Sequence, residues 1–393
     1  MANFLWLNWS GGGNLPPSLG IARALTERGH EVAFAGRPEM MARVEAAGFR
    51  AIELTSAYAQ VDRYPANSPM QRAACYLTSP AVADQIRAVV AAEAPDLILI
   101  DGMFPAALAQ AKDFAVPTIA ISHTFCFRML ERWRAATTVL NGMRQQAGFG
   151  ALPELDALWL GCDRTIVTAL AAFDAEPLPG WESVRHVGPV LETEKVAVPV
   201  ILPWSEADKT PIALMSYSTG FEQRSVDKMQ RGLDALADLP VHIVATTGGI
   251  VEPTELKAPR NAVLLSYAAH DPILERAALV VTHGGHGTAM RALRHGVPMI
   301  VIPGLAHDQA TIAALMEEWG VGLAMPGDAT FGAGGAGNAS PASREDSVEA
   351  LRKAAEKILA MPSYRQQARA RAVMLAGVDG ATNAVKEIEA LLS

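Results

Sequence analysis

A chain of 393 residues, half of them hydrophobic and 19% charged, is long enough for two cores and too apolar to be disordered or fibrous. Its 33 basic against 41 acidic residues leave a net charge of −8, which argues against nucleic acid, because a phosphate backbone needs a basic face. No window holds about 18 uninterrupted apolar residues, and Met1-Ala2-Asn3 opens on neither a basic n-region nor a long apolar h-region, so no membrane span or signal peptide is expected and the chain reads as cytoplasmic.

Short apolar runs alternate with helical patterns from the start. "FLWLNW" (4–9) reads as a buried strand, and the turn "SGGGNLPP" leads into a helix from about Pro17 to Arg28, with Leu19, Ala22 and Leu25 on one face and Gly29 placed to stop it. "HEVAFAG", "PDLILID" (95–101), "VPTIAIS" (116–122) and "RTIVTAL" (164–170) are the next strands. This βαβ rhythm implies a parallel sheet with helices on both faces. Cys75, Cys126 and Cys162 are widely spaced and odd in number, so reduced thiols are expected rather than a metal site or a disulfide framework.

Between about 186 and 211 the pattern lapses into a stretch rich in proline and charge. A second βα series follows: "PIALMSYS", "PVHIVATT", "NAVLLSY", "ALVVTHGG" and "VPMIVIPG". The chain is therefore expected to be α/β, with two doubly wound Rossmann-like domains facing a cleft at the carboxyl ends of their sheets. The N-terminal domain is placed at 1–195, a linker at 196–211, the C-terminal domain at 212–375, and a C-terminal helix at 376–393 that packs back on the N-terminal domain. "GDATFGAGGAGNASPASRED" (327–346) reads as a flexible surface loop, and the tail from about Ser347 as helix broken near Pro362.

The most informative stretch is "VVTHGGHGTAMRALRHGVPMIVIPGLAHDQ" (280–309). A strand ending at Thr282 runs into His283-Gly284-Gly285-His286-Gly287-Thr288, and a helix follows to about His295. Glycines let a backbone approach its ligand closely, and the unpaired N–H groups and dipole of a helix start favour a phosphate. The lysine of a P-loop is missing, so a metal-independent diphosphate site remains, with His283 as a donor to phosphate oxygen.

HGGxGT, then AL-x-x-GVPM, then P-x₄-DQ resembles the donor-binding signature of family-one glycosyltransferases of the bacterial macrolide and phenolic natural-product type. "RGHEVAFAG", "PDLILID", "VGPV", "LMSYSTG" and "SYAAHDPIL" also fall where that family has counterparts. The resemblance implies the GT-B fold and a UDP- or dTDP-sugar donor that is a co-substrate, with no cofactor and no metal. It implies that His283, Gly285, Gly287 and Thr288 hold the diphosphate and that Ser216, Ser218 and Thr219 lie beside it. Tyr267 stands where a Trp often lies against the base, Ala268 and His270 would line the base pocket, and Asp308 and Gln309 would bond the sugar hydroxyls, which need both acceptors and donors. Two departures stand out. Arg291 replaces a Glu that would accept from ribose hydroxyls, so either ribose recognition changes or Arg291 pairs with phosphate or a nearby acid. "PGLAHDQ" is one residue longer than the family's usual form.

The implied reaction is an inverting displacement at the anomeric carbon, onto a small, largely apolar acceptor such as a phenol or polyketide. The family places a His base in its first loop, and Asn14 occupies that position here; an amide cannot be a general base. Three readings stay open. The base is another group: Asp101, where the family has the acid that orients its His, or His123 at the next strand end. Or the acceptor needs little help, since a phenol ionises near ~10 and an aliphatic alcohol nearer ~15–16. Or the chain is a carbon- or nitrogen-glycosylating variant, a sugar-nucleotide epimerase or a silent sugar-nucleotide-binding partner. Gly12 and Gly13 would make room for the acceptor, and Met103, Phe125 and Phe127, with Met40 and Met41, would line an apolar pocket for it.

Overall fold

The computed structural model describes residues 1–9, 12–56, 76–191, 202–205, 207–217, 224–304, 307–326 and 341–392, with the side chains of 307 and 341–346 excepted. These residues form two compact units, Met1–Glu192 with Asp379–Ser393, and Thr193–Val378. Residues 196–201 and 206 of the expected linker and 327–340 of the glycine-rich segment lie outside the described residues.

The first unit is built on β1 (Asn3–Asn8), β2 (Glu31–Gly36), β3 (Arg50–Glu53), β4 (Leu97–Asp101), β5 (Thr118–Ser122), β6 (Arg164–Val167) and β7 (Val184–His186). Their order is β3-β2-β1-β4-β5-β6-β7, with every described pair parallel. Strands covered on both faces must be apolar along their whole length, and all five residues of β4, Leu-Ile-Leu-Ile-Asp, are buried. The chain moves outward from β1 to β3 and then returns to the other side of β1 with β4. That reversal opens a crevice at the carboxyl ends of β1 and β4, where doubly wound sheets place their ligands.

The helix Leu15–Glu27 starts with proline in its first turn and buries Leu15, Leu19, Ile21, Ala22 and Leu25. It shares its core with the last helix, Gly380–Glu389, through Ala381, Ala384, Val385 and Ile388. Arg28 and His30 both reach Glu389, at 2.6 and 3.0 Å, and fix the end of that packing.

The second unit repeats the plan with β8 (Ile212–Ser216), β9 (His242–Thr246), β10 (Ala262–Leu265), β11 (Ala277–Thr282), β12 (Met299–Val301) and β13 (Gly322–Ala324), in the order β10-β9-β8-β11-β12-β13. Its reversal lies between β8 and β11, where Ser216 stands level with Thr282. Two departures from expectation are local. The glycine-rich segment does not run as loop to 346, because the next helix begins at Pro341 and proline is favoured as a helix's first residue. β3, β7 and β13 were not anticipated: each is a short edge strand paired to a single neighbour.

Candidate active site

In the first unit the sheet reversal brings together three of the residues expected to carry the chemistry. Asp101 ends β4 and has no exposed surface. Asn14, the N-cap of helix Leu15–Glu27, makes no capping bond with its side chain but donates from Nδ2 to Asp101 Oδ1 and Oδ2 at 3.3 and 3.1 Å. The amide turns its nitrogen toward both carboxyl oxygens, so the carbonyl oxygen is the group Asn14 can offer a ligand. The Met103 backbone N–H donates to Asp101 Oδ1 at 2.8 Å, and His123 Nε2 stands 3.4 Å from Oδ2.

Two polar residues that sequence reasoning passed over complete the cluster. Ser18 Oγ donates to the Asn14 carbonyl at 2.9 Å, accepts from Asn8 Nδ2 at 2.8 Å and lies 3.4 Å from His123 Nε2. Both are buried, one ending a strand whose other buried residues are all apolar, the other on the inward face of a helix; such placements were the signal that could have found them. His123 Nδ1 is buried and has no hydrogen-bond partner among the described residues. Asp101 is fully covered and both its oxygens are engaged, so among the described residues Asn14 and His123 are the side chains through which it can act on an acceptor.

Gly12 takes a left-handed φ of +42° and is half-buried, and Gly13 is exposed, so the loop before Asn14 presents backbone rather than side chain. The expected apolar lining divides. Met103 is half-buried, whereas Phe125 has no exposed surface and Met40 and Met41 belong to the core. Phe127 is buried too, edge-on to Trp181 at 5.5 Å. The segment carrying Phe127 is held by Asp174, which accepts from the backbone N–H groups of Cys126, Phe127 and Arg128. Burial works to raise the Asp174 carboxyl, but its bonds to His186 and to the N–H groups of Arg128, Cys126 and Ala175 prevail and hold it below the usual range.

In the second unit β11 delivers His283 and the glycine turn, and helix His286–Arg294 starts at Gly285 with no acidic residue in its first turn. A helix start of this kind, with Gly287 and Thr288 in its first turn, carries the peptide N–H groups and the positive dipole end that suit an anion. Gly284 has φ +85°, and a Cβ there would fall 2.7 Å from Val301 Cγ1 and 3.1 Å from the Gln309 carbonyl. A Cβ on Gly285 would strike the His283 ring at 2.6 Å. Gly284→Ala is expected to cost about 1–3 kcal/mol in strain, lowering the melting temperature and abolishing nucleotide binding, as thermal melts and calorimetric titration would register.

Burial and then the Lys228 charge lower His283 to about 4, while a bond to the Ser216 backbone works the other way. The ring is thus neutral at pH 7. Burial and the neighbouring Arg291 lower His270 likewise, to about 4; its Nε2 is 3.3 Å from Thr246 Oγ1. Tyr267 is 69% exposed with its ring against Gly249, beside half-buried Ala268. Gln309 is buried and its Oε1 accepts from the Gly304 N–H at 2.6 Å. Asp308, in the first turn of helix His307–Glu318, is pushed up to about 6 by burial, against the pull of its own N–H and that of Gln309. Arg291 takes the acid among its open partners: it pairs with Asp271, which also meets His295 Nε2 at 2.8 Å. Ser216 is buried at the end of β8; Ser218 and Thr219 lie outside the described residues.

Residues 218–326 match the Glycosyltransferase family 28 C-terminal domain. The chain is 24% identical over 328 residues to the NDP-glycosyltransferase YjiC of Bacillus subtilis (strain 168), covering 80% of this chain and 82% of that one. The chain is a glycosyltransferase of the GT-B fold. Demethyllactenocin mycarosyltransferase of Streptomyces fradiae is 24% identical over 364 residues, 84% of the glycosyltransferase and 77% of the relative. The solved structure of CalG4, the calicheamicin glycosyltransferase, matches the fold with a TM-score of 0.74 at 22% identity, over 100% of this chain and 98% of that one. No described helix is long and apolar enough to cross a membrane.

Proposed function

We propose that the glycosyltransferase moves a hexose from a UDP- or dTDP-sugar to a small, largely apolar acceptor whose nucleophile is acidic, such as a phenol, by an inverting displacement that uses no metal. The first unit would take the acceptor and the second the donor. The observation that carries this reading is Asn14 in front of Asp101: an amide stands where the family resemblance would put a base, and the carboxyl group behind it is fully buried. The Asn14 carbonyl accepts the hydrogen bond of the acceptor's O–H, and the Asp101 oxygens, accepting from Asn14 Nδ2, hold the amide in place. The acceptor oxygen attacks the anomeric carbon, the bond to the diphosphate oxygen breaks with its electron pair, and the acceptor's proton passes to solvent. Neutral His283 and the N–H groups opening helix His286–Arg294 receive the leaving diphosphate.

The names of the relatives, an NDP-glycosyltransferase and a demethyllactenocin mycarosyltransferase, support a nucleoside-diphosphate-sugar donor and a natural-product acceptor. The test is a panel of UDP-glucose and dTDP-glucose against phenols, enols and aliphatic alcohols, read by mass and by the anomeric coupling of the product. A β-linked, acid-labile hexoside of the phenols, with alcohols slower by at least about 10²-fold, is expected. Equal rates on alcohols would refute the acidic-acceptor reading, and donor loss without product, or with epimer, would refute transfer. An acid-stable product would move the linkage from oxygen to carbon.

A further inference from the structure

One positive charge stands at the ligand end of the second sheet with no part in the mechanism above. Lys228 is the third residue of helix Val226–Leu236, whose N-cap Ser225 accepts from the Lys228 backbone N–H at 3.2 Å. A helix opens on the positive end of its dipole, so a cation there is opposed by about 0.3–1 kcal/mol. Lys228 is half-buried, and its ammonium donates to the Ile302 carbonyl at 2.7 Å and lies 5.5 Å from the centroid of the Tyr217 ring.

The partners define the position. Tyr217 directly follows β8 and Ile302 directly follows β12, and the same charge acts on His283, which directly follows β11. β8, β11 and β12 are consecutive in the sheet. The ammonium therefore stands at the carboxyl ends of three adjoining strands, beside the sheet's reversal point and the HGGHGT turn. His283 brings no charge there at neutral pH, and Arg291 is paired with Asp271. A dianionic group seated on the turn meets neutral N–H donors there, and among the described residues Lys228 is the cation whose charge already acts on His283.

We propose that Lys228 is a donor-site residue whose ammonium contacts the diphosphate of the nucleotide sugar and balances the charge that collects on it as the glycosidic bond breaks. The lysine stays protonated throughout; the electron pair of the breaking C–O bond goes to the β-phosphate oxygen. The inference rests on the nucleotide-diphosphate reading above, and it adds a residue that the glycosyltransferase signature in the sequence did not contain.

The test compares the wild type with Lys228→Gln, which keeps an N–H donor for the Ile302 carbonyl but removes the charge, and with Lys228→Arg, which keeps the charge. Calorimetric titration with UDP and dTDP, and with the corresponding monophosphates, separates charge recognition from base recognition. Lys228→Gln is expected to weaken the diphosphates about 10–100-fold and the monophosphates much less, to lessen the salt dependence of diphosphate binding, and to lower kcat. Lys228→Arg is expected to restore most of the diphosphate affinity. If Lys228→Gln leaves the diphosphate-to-monophosphate ratio and the salt dependence unchanged, Lys228 only anchors Ile302 and the inference is overturned. A wild type that binds neither diphosphate would overturn the donor reading itself, and this inference with it.

Discussion

Asn14→His is expected to open the glycosyltransferase to aliphatic alcohols. The orienting acid is already in place: Asp101 lies 3.1 and 3.3 Å from Asn14 Nδ2, so an imidazole at position 14 would donate one ring N–H to it and present the other nitrogen to the acceptor. General-base help of this kind is worth about 10²–10⁴-fold. An alcohol that ionises near ~15–16 needs all of it, whereas a phenol near ~10 supplies much of its own nucleophile. Rates on paired phenol and alcohol acceptors should therefore rise by about 10²-fold for the alcohols and by less than about tenfold for the phenols. The alcohol reaction should also acquire an acid limb near the usual histidine value of ~6.5. Adding Asp101→Asn to Asn14→His should remove most of the gain, because the ring loses its orienting partner. An Asn14→His enzyme that folds normally yet gains nothing on alcohols would show that the barrier lies elsewhere than in the missing base.

What the sequence reveals about such a site follows from how the fold makes it. Buried parallel strands must be apolar throughout, so β1, β4, β5, β8 and β11 are legible as continuous runs, and the end of each marks a place where ligands gather. Asn14 and Asp101 become neighbours for that reason, although 87 positions separate them. Edge strands are a different matter. β3 reads Arg-Ala-Ile-Glu and β7 Val-Arg-His, with too little apolar pattern to show. They are strands because a neighbour's unpaired edge imposes it. Asn8, Ser18 and Lys228 escaped notice because their meaning lies in what they touch. A serine on a helix face and a lysine in a first turn are ordinary until the sheet places His123 and Ile302 against them. Arg291 shows the intermediate case: its chemistry excluded the usual ribose contact, but only the geometry selected Asp271 from its possible partners.

Asp308 tests the donor side, because its stability and its function should move in opposite directions. Burial raises its carboxyl to about 6, from 3.8. The folded value lies above the unfolded one, so folding favours the protonated form, and the ionised group costs stability at every pH above about 6. Below about 4 the group is protonated in both states and the cost is gone. Asp308→Asn is therefore expected to raise the melting temperature at pH 7–8 and to leave it unchanged near pH 4. The same change should weaken use of the donor, because a carboxylate accepting from sugar hydroxyls makes the stronger, charged bonds, worth about 1.5–3 kcal/mol each. Donor kcat/KM should fall about 10–100-fold at pH 7.5. In the wild type it should also decline as pH drops through 6, a decline that Asp308→Asn should lack, since His270 and His283 at about 4 do not titrate in that window. If Asp308→Asn instead lowers the melting temperature at pH 7–8, the carboxylate's bonds to the N–H groups of its own helix start outweigh its burial, and Asp308 is a structural cap rather than a strained ligand for sugar.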